Sequence, residues 1–231
     1  MGRCVSHAGI GYPGVISGIS RVWEEARPYA VEKRLKKGES FSFQDETATD
    51  FVYVRSGTIA CMFYEGNGQA RTNLICKSGA LINETATTAG TFTDSILFVC
   101  TAPATLYHFR SELARDRAFT ETCPHLLRNM FYSISIKILN FQTLLNAVCT
   151  RSRLELVCWY IHAMCRAHQG ADEFEPGLSQ AEMCSLIGVS KTSMKRSMAW
   201  LKDQGIVSCF TRKRLAIDDM KRLEELAMPR E

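Results

Sequence analysis

The chain holds no run approaching the roughly 18 uncharged apolar residues that a membrane-spanning helix requires, so no membrane partner is expected. Met1 to Ser20 is glycine-rich but has no basic start leading into an apolar block, so it does not read as an export signal and a cytoplasmic location is expected. There is no C-x-x-C among the ten cysteines, which leaves a zinc ribbon or a thioredoxin-type centre without support. In a 231-residue chain without regular cysteine spacing, buried free thiols are the expectation, with Cys61, Cys76 and Cys100 in strand-like segments and Cys158 and Cys165 on one helix face. Histidine is scarce too. His108 is the only one between Val31 and Phe109, too few ligands for a cupin-like metal enzyme, so neither catalytic residues, nor a metal, nor a cofactor is expected. A formal charge of +4 is too small by itself to demand a polyanionic partner, so what matters is where the cations cluster.

What is present is 46% hydrophobic content, ample for a core and, at this length, for two domains. From Val31 to Phe109 short β-type runs alternate with turns, punctuated by glycines at 38, 57, 66, 68 and 79, which predicts meandering antiparallel strands in a small barrel or sandwich. "FYEGNGQA" reads as a hairpin turn and "GYPG" as a turn near the start. Glycine then vanishes from Ser111 to Gln169, and the apolar residues change to helical spacing. Pro124 fits a first helical turn. Beyond it Leu127, Phe131, Ile134, Ile138, Phe141, Leu145 and Val148 are spaced 4, 3, 4, 3, 4 and 3 apart, a coiled-coil seam that predicts a parallel homodimer. Met130, Leu139 and Leu144 widen the stripe, so the helix also needs cover from its own barrel. A second helix is expected from Arg151 to His168, followed by the polar connector "HQGADEFEPG".

The stretch "LSQAEMCSLIGVSKTSMKRSMAWLKDQGIV" carries the strongest signal. Ser179 and Glu182 have capping-box spacing, Gly188 suits a left-handed helix end, and Ser190 is placed to cap a second helix running to Gln204. Two short helices around a turn of three to four residues with glycine make a helix-turn-helix. Met194, Met198 and Leu201 are expected to face inward, with Trp200 at the edge and Ile187 and Val189 fixing the inter-helix angle. Lys191, Thr192, Ser193, Lys195 and Arg196 crowd the outer first turns, and from Ser190 to Lys202 there are four cations and no carboxylate. That sign fits base edges and phosphates better than an ordinary solvated face. "IVSCFTRKRLAIDD" reads as a two-stranded wing whose basic turn, Arg212, Lys213 and Arg214, would lie on the DNA backbone.

In this order of parts the chain, from about Lys33 to Leu226, resembles the Crp/Fnr family of bacterial transcription regulators. "VSKTSMKRSMAWLKDQGIV" is similar to the family's recognition helix, and "FVYVRSGTIACMF" to its strand-turn-strand around a glycine, here Gly57. The resemblance implies an α+β fold. Residues 1–118 would form an effector-sensing, cyclic-nucleotide-binding-type β roll, 119–149 a dimerisation helix, and 150–231 a winged helix-turn-helix. It also implies a homodimer on a dyad DNA operator, and RNA polymerase as a partner if the protein activates.

Departures from the family pattern narrow the effector. Where cyclic-AMP-binding members carry a Gly-Glu pair and then an Arg-Ser pair that grips the phosphate, this chain has Asn83 and Glu84, then Asp94 and Ser95. A carboxylate in place of that arginine opposes a cyclic phosphate by several kcal/mol. Only Cys4 precedes Cys61, so the iron–sulfur branch fits no better, and a haem reading rests on His7 or His108 without a second signal. The chain is most similar to the halophenol-responsive branch, which implies an aromatic or phenolic acid seated between roll and helix. Its walls would come from Asn83, Glu84, Thr85, Phe92, Thr93 and Ser95 on one side and Ile134, Lys137, Ile138 and Phe141 on the other. Lys137 either favours an anionic ligand there or snorkels to water from the helix flank. A thiol redox-responsive regulator of the same fold, without a ligand, is the alternative. At the recognition helix the family pattern Arg-Glu-Thr-x-x-x-Arg is met by Lys191, Thr192, Ser193 and Arg196, without the glutamate that reads cytosine.

Overall fold

The computed structural model describes residues 12–64, 70–91 and 96–228. The hairpin tip expected within "FYEGNGQA" (65–69) and the cassette residues Phe92, Thr93, Asp94 and Ser95 lie outside the described residues. The chain divides into two compact units, Val15–Leu139 and a second from Asn140 onward that also takes in residues 12–14. The division falls inside a helix, not at its end.

The first unit is a seven-stranded sheet curled on itself. Its strands are β1 (Val15–Ile16), β2 (Val31–Leu35), β3 (Ser40–Phe41), β4 (Phe51–Tyr64), β5 (Ala70–Lys77), β6 (Leu81–Ile82) and β7 (Ile96–Phe109). The main path is β1-β5-β4-β7-β2, with β3 on β7 and β6 on β4. All neighbours are antiparallel except β1, which runs parallel to β5, an addition that periodicity did not reveal. β4 is buried on both faces at its start. Val52 and Val54 join Ile59, Cys61, Cys76, Phe98 and Leu106 inside the roll, while Phe51 and Tyr53 pack outward on Trp23, Phe109, Phe119 and Met130. Trp23 comes from a 3-10 helix, Arg21–Tyr29, that covers this outer face. Alternating apolar residues on two sides need two layers of cover, and this element supplies the second.

The resemblance implies a turn at Gly57, and the structure corrects it: β4 continues unbroken from Phe51 to Tyr64. The strand bends there instead, with register shifts against β7 on either side of the glycine. Gly57 has φ +93°, and a Cβ at that position would meet Pro103 O at 2.4 Å, so only glycine lets the two long strands come this close.

Helices follow the roll: α1 (Glu84–Ala89) between β6 and β7, then α2 (Arg117–Thr122) and α3 (Pro124–Thr150), which opens on Pro124 as expected. The second unit contains α4 (Arg153–Ala167), β8 (Glu173–Phe174), α5 (Gln180–Ile187), α6 (Lys191–Asp203), β9 (Val207–Phe210), β10 (Leu215–Ile217) and α7 (Met220–Ala227). β8 and α7 have no counterpart in the sequence reading. The wing is thereby a three-stranded sheet, β8-β10-β9. Tyr160, Ile161, Met183, Ile187, Met194, Leu201, Leu215 and Leu223 are each almost wholly buried and form the core of this unit. Cys158 and Cys165 are buried within it, as their spacing suggested, and burial pushes the Cys158 thiol up to about 12.

Candidate DNA interface and effector site

The expected capping signals all form. Ser179 Oγ accepts from Glu182 N at 3.2 Å while Glu182 Oε2 accepts from Ser179 N at 2.8 Å, closing the reciprocal box at the start of α5. Gly188 ends α5 at φ 66°, and its carbonyl accepts from Arg153 Nη1 at 3.1 Å, an anchor that spacing alone did not indicate. Ser190 Oγ then accepts from Ser193 N at 3.1 Å, fixing the first turn of α6. Ile187 and Val189 are buried between the two helices, as the motif requires.

α6 separates its faces as its composition suggests. Met194 and Leu201 are buried and Met198 half-buried, whereas Lys191, Thr192, Lys195 and Arg196 are exposed. Ser193 is half-buried in its cap, and Trp200 lies at the rim, 36% exposed. The outer first turns therefore present three cations and a hydroxyl on the end of a helix whose N–H groups already carry partial positive charge. The wing is less free than its sequence suggests. Arg212 donates to both oxygens of Glu182 at 2.7 Å, and Arg214 to both oxygens of Glu173 at 2.8 and 3.1 Å. Lys213, between them, is exposed. The Arg214–Glu173 bridge is open to solvent on both sides, 58% and 57% exposed, whereas Glu182 beside Arg212 is 17% exposed and also holds Ser179.

In the first unit the structure redraws the effector wall. Lys137 does not snorkel: its side chain is 10% exposed and Nζ donates to Leu81 O at 2.9 Å and to Glu84 Oε2 at 2.8 Å. Glu84, fully buried at the start of α1, accepts a further hydrogen bond from Ser133 Oγ at 2.7 Å. Burial is the largest influence and works to lower the lysine's pKa, but the Glu84 carboxylate together with the Cys76 and Cys61 thiols outweighs it and holds the ammonium above its usual 10.5. The Leu81 carbonyl also faces Cys76 Sγ at 3.9 Å. Cys61 beside it draws the Cys76 thiol below its ordinary value and is itself pushed up.

Other expected wall residues do not converge on this point. Asn83 adopts φ 68° and spends its amide on Ala48 O (3.0 Å) and Asp50 O (2.7 Å), so it pins a loop. Thr85 is exposed. Ile138 is 51% exposed, and Phe141, 37% exposed, belongs to the second unit. Ile134 is half-buried against the Trp23 cluster. The residues of α3 that face the roll are Leu126, Met130, Ser133, Ile136 and Lys137. The apolar-inside rule pointed the wrong way because this helix buries a serine and a lysine and leaves its greasier arc outside. Phe131, Ile138, Leu139 and Leu145 are 62%, 51%, 56% and 64% exposed, on or beside the seam that the heptad spacing marked.

Residues 155–226 match the model of the Crp-like helix-turn-helix domain. No curated protein matches the chain. Among solved structures the fold is similar to that of a CprK variant complexed with OCPA, with a TM-score of 0.79 and 15% identity over 96% of this chain and 100% of that one. It is also similar to a CooA mutant from Carboxydothermus hydrogenoformans, with a TM-score of 0.72 and 14% identity over 92% and 100% of the two chains. The c-di-GMP responsive regulator CLP of Xanthomonas campestris gives a TM-score of 0.70 and 14% identity over 84% and 96%. At these identities the likeness is one of fold.

Proposed function

We propose that this chain is a DNA-binding transcription regulator of the Crp/Fnr type, a reading supported by the Crp-like helix-turn-helix match over residues 155–226 and by the cations on α6. It binds a dyad operator as a homodimer, and a small acid acting on the Glu84–Lys137 pair sets its affinity. The α3 stripe that leaves Phe131, Ile138 and Leu145 largely exposed supports the dimer, since apolar area of this kind is stable in water only when covered. α6 enters the major groove by its first turns. Arg196 is suited to a bidentate contact with guanine O6 and N7, and Thr192 to a thymine methyl. Lys191, Lys195, the Ser190 cap and the wing cations hold phosphates, and an activator of this type would also meet RNA polymerase.

The observation that carries the control step is the buried ammonium of Lys137, already satisfied by a protein carboxylate. An aromatic or phenolic acid gains that ammonium only by replacing Glu84, which is the first residue of α1. Effector binding and the seating of α1 on α3 are therefore one equilibrium, and a coupling of about 1–3 kcal/mol gives a useful switch. The paired thiols Cys61 and Cys76 favour a second reading, in which peroxide converts the dithiol to a disulfide at the same carbonyl. Alkylation followed by mass spectrometry, with and without peroxide, distinguishes the two.

Fluorescence anisotropy on a selected duplex, with and without small aromatic acids and phenols, is the test. An effector shifts operator affinity by about 5- to 150-fold in the native chain and not in Lys137→Met. Identical affinity with every acid, oxidised or reduced, removes the sensor reading and leaves DNA binding standing. Arg196→Ala should cost about 1–3 kcal/mol of sequence discrimination, and Lys191→Ala should lower the salt slope of log affinity by about 0.9.

A further inference from the structure

The interior face of the roll is apolar along most of its length, yet two polar residues break its alternation at one end. On β7 the inward series is Ala104, Leu106, His108, and opposite it on β2 Leu35 is followed by Lys33, paired in register with Leu106. A cleft of ≈ 90 Å³ opens there, lined by the buried Val52 and Leu106, by Phe41 and Phe43, by the largely buried His108 and by the exposed Lys33. The Phe43 ring lies nearly parallel to the His108 ring, 13° apart in plane with centroids 6.3 Å apart.

Behind the imidazole lies an incomplete hydrogen-bond set. Asp50 is fully buried, and its Oδ1 accepts from Ser111 N at 2.9 Å. Oδ2 sits 3.5 Å from His108 Nε2 and, among the described residues, has no hydrogen-bond partner. A buried carboxylate oxygen without a donor costs free energy that the fold must recover elsewhere. Lys33, meanwhile, is exposed and makes no ion pair among the described residues. The cleft thus joins an apolar slot, an unsatisfied carboxylate behind a titratable ring, and a free ammonium at the mouth.

We propose that this cleft is a second small-molecule site, taking a flat monocarboxylic acid of the benzoate class, and that the acid is captured together with one proton on His108. Because the space is smaller than the roughly 150 Å³ that encloses a whole benzene, the ring enters only in part and the carboxylate stays at the mouth beside Lys33. Arrival of an anion turns the imidazole into an imidazolium, whose Nε2–H is placed to meet Asp50 Oδ2. The charged groups around the ring are Asp50, Lys33 and Arg110. Burial together with the two cations holds the unliganded imidazole below its ordinary 6.5 despite Asp50, so the proton comes from solvent when the acid binds. Affinity therefore rises as pH falls through this range, by at most about tenfold per unit for one linked proton. This site shares no residue with the Glu84–Lys137 pair.

Calorimetric titration of the full chain with benzoate, in two buffers of different ionisation enthalpy at neutral and mildly acidic pH, tests the proposal. Uptake approaching one proton per benzoate is expected, lost in His108→Asn. Lys33→Met, a change at an exposed position, weakens benzoate severalfold without altering the melting temperature or operator binding. Binding that ignores both changes but disappears in Lys137→Met puts the acid at α1 and α3 and overturns the proposal, as does absence of any heat or thermal shift at millimolar benzoate.

Discussion

Two opposite charges sealed between α1 and α3 make Lys137 and Glu84 the most consequential residues of the first unit. Each is desolvated, so removing one strands the other. Lys137→Met alone should destabilise the chain by about 3–5 kcal/mol, read from urea unfolding, whereas Lys137→Met with Glu84→Met should recover most of that loss. Recovery that fails would mean that the pair acts by shape and not by charge. The lysine's folded-state pKa is raised above its ordinary value, so its contribution is intact at neutral pH and disappears only as pH climbs past that raised value. His108 behaves oppositely. Its folded-state pKa is depressed, so the unfolded chain takes up the proton first and stability falls as pH drops below about 6.5. His108→Asn should flatten that part of the stability profile in urea titrations, and an unchanged acid limb would contradict the buried, neutral imidazole.

Helix α3 places most residues of its 4-3 repeat away from the roll. The 4-3 repeat identified its seam, and those residues do form an apolar arc, with Leu127 and Ile134 half-buried and Phe131, Ile138, Phe141, Leu145 and Val148 exposed. Of the four α3 residues expected to line the roll, Lys137 is buried there, beside a Ser133 that the spacing did not mark, whereas Ile138 and Phe141 are exposed and Ile134 is half-buried. No periodicity rule finds such a face, because its apolar count is low and its stability comes from a hydrogen-bonded charge pair. Glu84 was visible as a cassette residue, but not as the partner of Lys137, 53 positions away. An arc this exposed should dimerise. Leu145→Glu should give a monomer in sedimentation velocity while leaving the far-ultraviolet circular dichroism unchanged, and a persistent dimer would place the interface elsewhere.

For the whole molecule, legibility tracked how local the interactions are. The caps at Ser179 and Ser190, the Gly188 helix end, the Pro124 start and the α6 faces were readable because each is decided within a few residues. β1, β8 and α7 were not, since two-residue strands carry no period and α7 packs on α4, more than fifty residues earlier in the chain. The wing cations were found, but not the carboxylates that hold two of them, which come from α5 and β8. Among the described residues, no helix is long and apolar enough to cross a membrane.

In the proposed function α6 contacts base edges from a two-fold symmetric protein. Selection of bound duplexes from a random library by the full chain measures this directly. The expected result is enrichment of inverted repeats whose half-site centres lie about 10–10.5 base pairs apart, or a multiple of that, with the enrichment lost in Arg196→Ala. Enrichment of single half-sites without dyad symmetry, or of the same sequences by Arg196→Ala, would contradict it.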